Sequence, residues 1–175
     1  MFCIEIEQDL KLALMQEFMA DELYELTINN RDYLGKWLPW VWSVKSVEDS
    51  RAYIISRLNL FAKGKTVYCG IIYKDKLVGV LDFVSIDQKN QKSDIGYWID
   101  SKSQGKGLMS KAVKALIDYG SKYLKLKKFV ILCDKENCRS CNIAKRLGFK
   151  QKGLLKEHLV VNGERRDFYS YALCV

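Results

Sequence analysis

The segment SQGKGLMSKAV, residues 103–113, places two glycines and a lysine directly before a predicted helix. Glycine lets the backbone turn sharply and approach a ligand closely. The first N–H groups of a helix have no partner within the helix, and together with the positive end of the helix dipole they attract anions. We therefore expect this segment to hold a phosphate group.

Two common phosphate-binding motifs fit the segment poorly. A P-loop requires G-x-x-x-x-G-K-[ST], whereas here Lys106 precedes Gly107 and no second glycine stands at the required distance. The dinucleotide motif G-x-G-x-x-G is met only at Gly105 and Gly107. Ser110 stands where the third glycine belongs, and Asp134 follows too late to be the ribose-binding acid. The P-loop is excluded and the dinucleotide reading is weak.

The cysteines offer a possible metal site. Cys133, Cys138 and Cys141 have the spacing C-x4-C-x2-C, which is found in plant-type iron–sulfur ligation. However, Cys133 ends a strand-like run and Cys141 falls within a predicted helix, whereas such a cluster needs a wrapping loop. We expect reduced structural thiols and no metal.

Composition limits the class of protein. The 175 residues suit a single domain, residues 1–175, and 49% hydrophobic with 29% charged residues indicates a folded chain. No apolar run approaches the ~20 residues that cross a bilayer, and the N-terminus MFCIEIEQDL lacks a basic region followed by an apolar stretch. We expect a cytoplasmic protein without membrane contact. The net charge of +8 admits an anionic ligand or a ribosomal neighbourhood, although a solvated basic surface also accounts for it.

The elements that must position the segment follow from periodicity and turn signals. Ser46 and Asp49 have capping-box spacing before a helix, and Asn162–Gly163 is typical of a hairpin turn. The predicted order is the strand LKLALM, the helices MADELYELTINN and RAYIISRLNLF, the strands VYCGIIY, KLVGVLDFV and DIGYWI, the helix LMSKAVKALIDYGSKYL, the strand KFVILC, the helix SCNIAKRL, and the hairpin strands LLKEHLVV and DFYSYAL.

A third phosphate motif, Q-x-x-G-x-[GA], matches at Gln104 and Gly107, with Met109 in place of the usual small residue. It is the pyrophosphate loop of acetyl-CoA-dependent N-acetyltransferases. With this motif and four longer blocks, the chain resembles the GNAT superfamily, and within it the RimJ/RimL-like branch of ribosomal-protein N-acetyltransferases. The four blocks are DELYELTINNRDYLGKWLPW, IGYWIDSKSQGKGLM, NCRSCNIAKRLGF and NGERRDFYSYAL. The resemblance runs nearly end to end.

The resemblance implies an α/β (α+β) fold. It is a mixed, mostly antiparallel sheet of about seven strands, flanked by helices and splayed between the fourth strand, DIGYWI, and the fifth, KFVILC. Acetyl-CoA would be the cosubstrate, with its pantetheine along Trp98 and Ile99, as an added strand would lie. The implied cofactor-binding residues are Trp98, Ile99, Gln104, Gly105, Lys106, Gly107, Leu108, Met109, Ser110, Asn137 and Ser140.

The resemblance also implies the catalytic residues. Ser140 matches the serine near the coenzyme A sulfur, where its hydroxyl would hydrogen-bond the departing thiolate; a plain helix cap is the competing reading. Asp94 stands where many relatives carry a general base, with Glu157 and Tyr171 as runners-up. Lys152 replaces an acid that is common after the GF pair.

The predicted activity is transfer of an acetyl group to a primary amine, with a protein N-terminus as the acceptor, entering beside the tryptophan-rich segment 37–42. Two alternatives stay open. One is acetylation of a small amine such as an antibiotic or a polyamine, and the other is a non-catalytic acyl-CoA-binding or ribosome-associated module. We expect a homo-oligomer and no direct nucleic-acid binding.

Overall fold

The computed structural model describes residues 2–175. Within them the chain forms eight strands and five α-helices, joined in places by short 3₁₀ turns. The elements are β1 Cys3–Glu7, β2 Leu10–Leu14, α1 Ala20–Asn29, α2 Arg31–Leu34, α3 Val47–Ala62, β3 Val67–Tyr73, β4 Lys76–Asp87, β5 Lys92–Ile99, α4 Leu108–Leu124, β6 Lys128–Asp134, α5 Cys138–Arg146, β7 Lys150–Val161 and β8 Glu164–Cys174.

All eight strands belong to one sheet, in the order β1-β2-β3-β4-β5-β6-β8-β7. Every neighbouring pair is antiparallel except β5 and β6. The mixed, mostly antiparallel sheet is thus confirmed, but the count of about seven strands missed β1. Its sequence CIEIE alternates apolar and acidic residues, which is the pattern of a half-buried strand.

Local signals fixed several boundaries correctly. At the start of α3 the Asp49 N–H donates to Ser46 Oγ at 3.4 Å, and the Ser46 N–H donates to Asp49 Oδ2 at 2.9 Å, which is the predicted capping box. The β7–β8 hairpin turns at Asn162 and Gly163, whose φ angles are 52° and 83°. Positive φ at both central residues suits a two-residue hairpin.

The sheet splits between β5 and β6. These parallel strands pair at only three positions, Lys92 with Lys128, Ser93 with Phe129, and Asp94 with Val130. Beyond them, residues 95–99 of β5 separate from residues 131–134 of β6. The predicted splay between DIGYWI and KFVILC is therefore confirmed, and it opens a gap in the middle of the sheet.

Two hydrophobic clusters hold the helices against the sheet. Phe83 of β4 and Leu116 of α4 are fully buried in the larger cluster. Val80 of β4 and Ile54 of α3 belong to the other. Because successive side chains of a strand point to opposite faces, the two clusters lie on opposite sides of the sheet. None of the helices formed by residues 2–175 has the length and apolar character of a membrane span.

Candidate active site

A cavity of about 660 Å³ lies where the sheet splits. Its walls come from six segments: β5, the open end of β6, Phe168 of β8, the loop and first turn at the start of α4, helix α5, and the stretch from Tyr33 to Leu38 around the end of α2. Because β5 and β6 are unpaired here, the cavity is bordered by strand backbone as well as side chains. It therefore combines apolar walls with backbone polar groups, as ligand sites commonly do.

The loop before α4 forms one end of the cavity. Gly105 and Gly107 have φ angles of 76° and 74°, which L side chains rarely adopt. Gly107 is the N-cap of α4 and has no side chain that could cap the helix, so the first N–H groups of α4 face the cavity end without that competitor. This geometry suits an anion.

Gln104 bridges two walls of the cavity. Its side-chain amide nitrogen donates to the Tyr33 hydroxyl, and its amide oxygen accepts from the Arg139 guanidinium. The bridge links α2 on one side of the sheet to α5 on the other. It holds the loop in place from both sides.

Nearly all of the predicted cofactor-binding residues meet in this cavity. The residues that line it are Trp98, Ile99, Gln104, Gly105, Gly107, Leu108, Met109, Ser110, Asn137 and Ser140. Lys106 does not line it. Between the two left-handed glycines the chain turns so that the Lys106 ammonium lies over the Tyr73 ring, 5.7 Å from its centre. The predicted contact of the Lys106 side chain with the cofactor therefore lacks support from its position.

The structure shows where the two residues that depart from the family pattern, Met109 and Lys152, lie. Met109 is 5% exposed and belongs to the larger core cluster, so the core accommodates its extra volume. Lys152 is exposed at a β-bulge between Gln151 and Gly153 of β7 and does not line the cavity.

Ser140 lies in the first turn of α5 and does not cap it. The cap is Asn137, whose side-chain oxygen accepts the Ser140 N–H at 3.2 Å. The Ser140 hydroxyl instead lies 3.1 Å from the Tyr97 hydroxyl and 3.2 Å from the Cys133 sulfur. The capping reading of Ser140 is therefore wrong, and its hydroxyl is left on the cavity wall.

Both neighbours of Ser140 are protonated at neutral pH. Burial raises the pKa of the Cys133 thiol to about 12. Burial also raises the pKa of the Tyr97 phenol. In an apolar surrounding the charged form of either group is disfavoured, so Cys133 is a poor nucleophile and Tyr97 keeps a proton to donate.

The predicted bases do not line the cavity. Asp94 lies at the last paired position of β5 and β6, and the Ser85 hydroxyl approaches its carboxylate at 3.5 Å. Glu157 is exposed and pairs with Arg165, and Tyr171 is buried with its hydroxyl near Gln151. The role of Asp94 as base stays a prediction, and the geometry does not favour it.

The cavity also contains residues that the sequence analysis did not single out. Arg139 and Arg146 of α5 line it, and Arg146 Nη1 lies 3.0 Å from Ser110 Oγ. Their separation of seven residues places both on one face of a helix, and this spacing could have been recognised in the sequence. Asp134 is the one acidic residue of the lining within residues 2–175, and Arg166 Nε lies 3.0 Å from its carboxylate. Its charge is thus paired.

Aromatic residues form part of the cavity wall. Tyr33, Trp37 and Phe168 line the cavity, and the Tyr33 hydroxyl contacts Gln104 in the loop before α4. In the predicted tryptophan-rich segment, Trp37 reaches the cavity, whereas Trp40 packs against Trp98 with ring centres 6.4 Å apart. Among residues 2–175, no three His, Cys, Asp or Glu side chains are grouped to hold a metal ion.

Comparisons with known proteins agree with this geometry. The model of the acetyltransferase (GNAT) domain matches residues 10–150. The ribosomal-protein-serine acetyltransferase of Escherichia coli K12 is 34% identical over 169 residues, which are 97% of this chain and 94% of that protein.

Two solved structures are similar over nearly the whole chain. RimL, the ribosomal L7/L12 alpha-N-protein acetyltransferase, in complex with coenzyme A and with a disulfide between coenzyme A and a cysteine, superposes with a TM-score of 0.97 at 29% identity, covering 99% of this chain and 98% of that one. The microcin C7 self-immunity acetyltransferase MccE, in complex with acetyl-CoA and AMP, gives 0.94 at 32% identity, covering 98% and 96%.

Proposed function

The chain belongs to the GNAT family of acetyltransferases, and from that premise we propose that it transfers the acetyl group of acetyl-CoA to the N-terminal amine of a protein, such as a ribosomal protein. The observation that carries the proposal is the cavity in the split sheet. It joins an anion site at the α4 N-terminus to the Ser140 hydroxyl and to an aromatic wall that has no unpaired carboxylate.

Each part of acetyl-CoA has a counterpart in the cavity. The pyrophosphate suits the first turn of α4, with Arg139 and Arg146 supplying positive charge at its mouth. The pantetheine suits the gap beside Trp98 and Ile99, and its sulfur then falls near Ser140. The disulfide in the RimL complex supports this placement, because the cysteine that lines the cavity in this chain is Cys133, 3.2 Å from Ser140.

The proposed reaction is a direct attack. The neutral amine forms a C–N bond with the thioester carbonyl carbon, the C–S bond breaks, and coenzyme A leaves as a thiolate. The Ser140 hydroxyl donates a hydrogen bond to that thiolate. Because the amine attacks the thioester directly, no covalent enzyme intermediate forms. The nitrogen loses its proton to water, and the released thiolate takes one from water.

The choice of acceptor follows from the proton that its amine must lose. A protein α-amine has a pKa of about 7.7–8.0, so a good fraction is neutral near pH 7.5, whereas a lysine-like amine at about 10.4 needs a strong base. In the described lining the one carboxylate, Asp134, is occupied by Arg166. A site without a free base or anionic subsite favours an α-amine over a polyamine.

One observation favours a second acceptor class. MccE, whose complex contains AMP, is similar to this chain, and the acceptor wall offers the rings of Tyr33, Trp37 and Phe168. Aromatic rings can stack on a planar group. A small amine that carries such a group, for example an aminoacyl nucleotide, is therefore the alternative substrate.

The deciding experiment measures acetylation by mass spectrometry. Purified protein and acetyl-CoA are incubated with a panel of peptides that have free N-termini, with the same peptides blocked at the N-terminus, with spermidine and with aminoacyl nucleotides. We expect product on free peptides alone, and a fall in kcat of about 100-fold for Ser140→Ala. Modification of blocked peptides at lysine, or of the small amines instead, would overturn the protein N-terminal assignment.

Thermal unfolding separates this activity from a non-catalytic module. Acetyl-CoA at 100 times its Kd would stabilise the protein by about 2.7 kcal/mol and raise the Tm. Stabilisation without turnover on any acceptor would identify a binding module. The absence of stabilisation would show that acetyl-CoA does not bind, and it would overturn the role of acetyl-CoA as cosubstrate.

We further propose that residues 1–175 act as one domain in the cytoplasm, where ribosomal acceptors lie, and that copies self-associate through β7. This edge strand exposes Leu154, Leu155, Leu159 and Val160, each by more than a third. Exposed apolar edge strands tend to pair. Light scattering on the wild type should give a dimer mass that Leu159→Lys reduces to the monomer.

A further inference from the structure

Tyr97 is the nearest polar neighbour of Ser140 in the cavity. Its ring lies on β5, and its hydroxyl lies 3.1 Å from Ser140 Oγ and 3.3 Å from the Ser140 carbonyl oxygen. The two residues are 43 positions apart in sequence and lie on opposite sides of the gap between β5 and α5. The contact therefore depends on the folded cavity.

Two arrangements of protons fit these distances. In the first, Tyr97 donates to the Ser140 carbonyl and Ser140 donates to Tyr97, so the serine proton is tied up. In the second, Tyr97 donates to Ser140 Oγ, and the serine proton is free to point elsewhere. Cys133, the other neighbour at 3.2 Å, is only a weak acceptor and competes little for that proton.

A thiolate in the cavity selects the second arrangement. Hydrogen bonds to an ionised acceptor are about twice as strong as neutral ones, so the serine proton turns toward the sulfur. Tyr97 can follow by donating to Ser140 Oγ, since both of its possible acceptors are within reach. Chained hydrogen bonds polarise one another, so the donation from Tyr97 strengthens the one from Ser140.

We propose that Tyr97 is a positioning residue that orients the Ser140 hydroxyl toward the coenzyme A sulfur as the thioester breaks. This inference rests on the proposed function. No net proton leaves Tyr97, because burial keeps the phenol protonated. The thiolate accepts the hydrogen bond from Ser140, departs, and takes its proton from water.

The test is Tyr97→Phe, which keeps the ring and removes the hydroxyl. We expect kcat to fall about tenfold, as for loss of one hydrogen bond to a charged group, while the KM for acetyl-CoA changes less than twofold. In a Ser140→Ala background the same change should have no further effect. Tyr119→Phe, on α4 away from the described cavity lining, is the matched control and should leave kcat unchanged.

A binding readout makes the test independent of turnover. The ratio of the Kd for desulfo-coenzyme A to that for coenzyme A, measured by calorimetry at a pH above the pKa of the coenzyme A thiol, reports how firmly the thiolate sulfur is held. Both Ser140→Ala and Tyr97→Phe should lower this ratio, and Tyr119→Phe should not. Acetyl-CoA binding by each variant also verifies that it is folded.

The outcomes distinguish failure of the role of Tyr97 from failure of the proposed function. An unchanged kcat and ratio in Tyr97→Phe, or an equal loss of kcat with and without Ser140, would overturn the role of Tyr97 while leaving the transferase intact. If Ser140→Ala itself changes nothing, or coenzyme A does not bind, the proposed function fails and the inference fails with it.

Discussion

Arg146 Nη1 lies 3.0 Å from Ser110 Oγ, so that a cation of α5 is joined to the first turn of α4 at the mouth of the cavity. The Arg146 guanidinium lines the cavity and faces the end of α4 that attracts anions. The contact brings a fixed positive charge to the place where the phosphates of coenzyme A are expected.

Arg146→Gln should weaken coenzyme A binding without unfolding the protein. Loss of one partly exposed charge-assisted contact costs about 1 kcal/mol, which raises the Kd about fivefold. The loss should shrink as salt is added, because salt screens an exposed charge. Titration calorimetry at two salt concentrations measures both effects. Lys114→Gln, on α4 outside the cavity lining, is the charge-matched control and should change neither.

Gly107→Ala should impair both stability and cofactor binding. Its φ of 74° costs an L residue about 1–2 kcal/mol, and relief of that strain would move the first N–H groups of α4. We expect a lower Tm and a Kd for coenzyme A that rises more than tenfold. Gly153→Ala on β7 has open space around the new methyl group and should be neutral. Unaltered coenzyme A binding by Gly107→Ala would contradict the assignment of this loop to the anion site.

Asp94→Asn decides whether the predicted base acts from its observed position. The carboxylate lies at the paired end of β5 and β6 and outside the lining, so we expect kcat/KM on an N-terminal peptide to change less than about threefold. The pH–rate profile should then report the α-amine of the acceptor. A loss of more than about a hundredfold with an altered acidic limb would instead establish Asp94 as the base, acting through water.

Arg57→Met should destabilise the protein in a pH-dependent way. Arg57 Nη2 lies 3.0 Å from Asp82 in a buried pair, and removal of one partner of such a pair costs about 3 kcal/mol. Burial raises the pKa of Asp82 to about 7, above its value in an unfolded chain. The folded protein therefore holds this proton more tightly, and the stability that the group contributes falls as pH rises through 7.

The loss caused by Arg57→Met should accordingly be larger at pH 8 than at pH 5.5. Removal of the Arg57 charge raises the pKa of Asp82 further, so the variant goes on losing stability above pH 7, where the wild type no longer does. Denaturant unfolding at both pH values measures it. Arg51→Gln on the same helix removes exposed pairs to Glu17 and Asp21, and it should cost less than about 1 kcal/mol at either pH. Equal losses from Arg57→Met at both pH values would contradict the raised pKa.

Predictions that rest on neighbouring residues succeeded. The capping box at Ser46, the hairpin turn at Asn162–Gly163 and the glycine loop before α4 depend on contacts within a few positions, which the chain specifies wherever it folds. Strand β1 was also visible as an alternating pattern, although it was overlooked. The helix at α2 was missed because four residues carry too little periodicity.

The sequence by itself determined the type and order of most elements, the glycine loop before α4 and the family. Each is encoded in backbone preferences and short motifs. The tertiary structure alone decided which side chains meet. Tyr97 reaches Ser140, and Arg166 neutralises Asp134, across distances along the chain that no local pattern reports. The point at which β5 and β6 separate decided that Asp94 stays outside the cavity, because register is set by packing of the whole sheet.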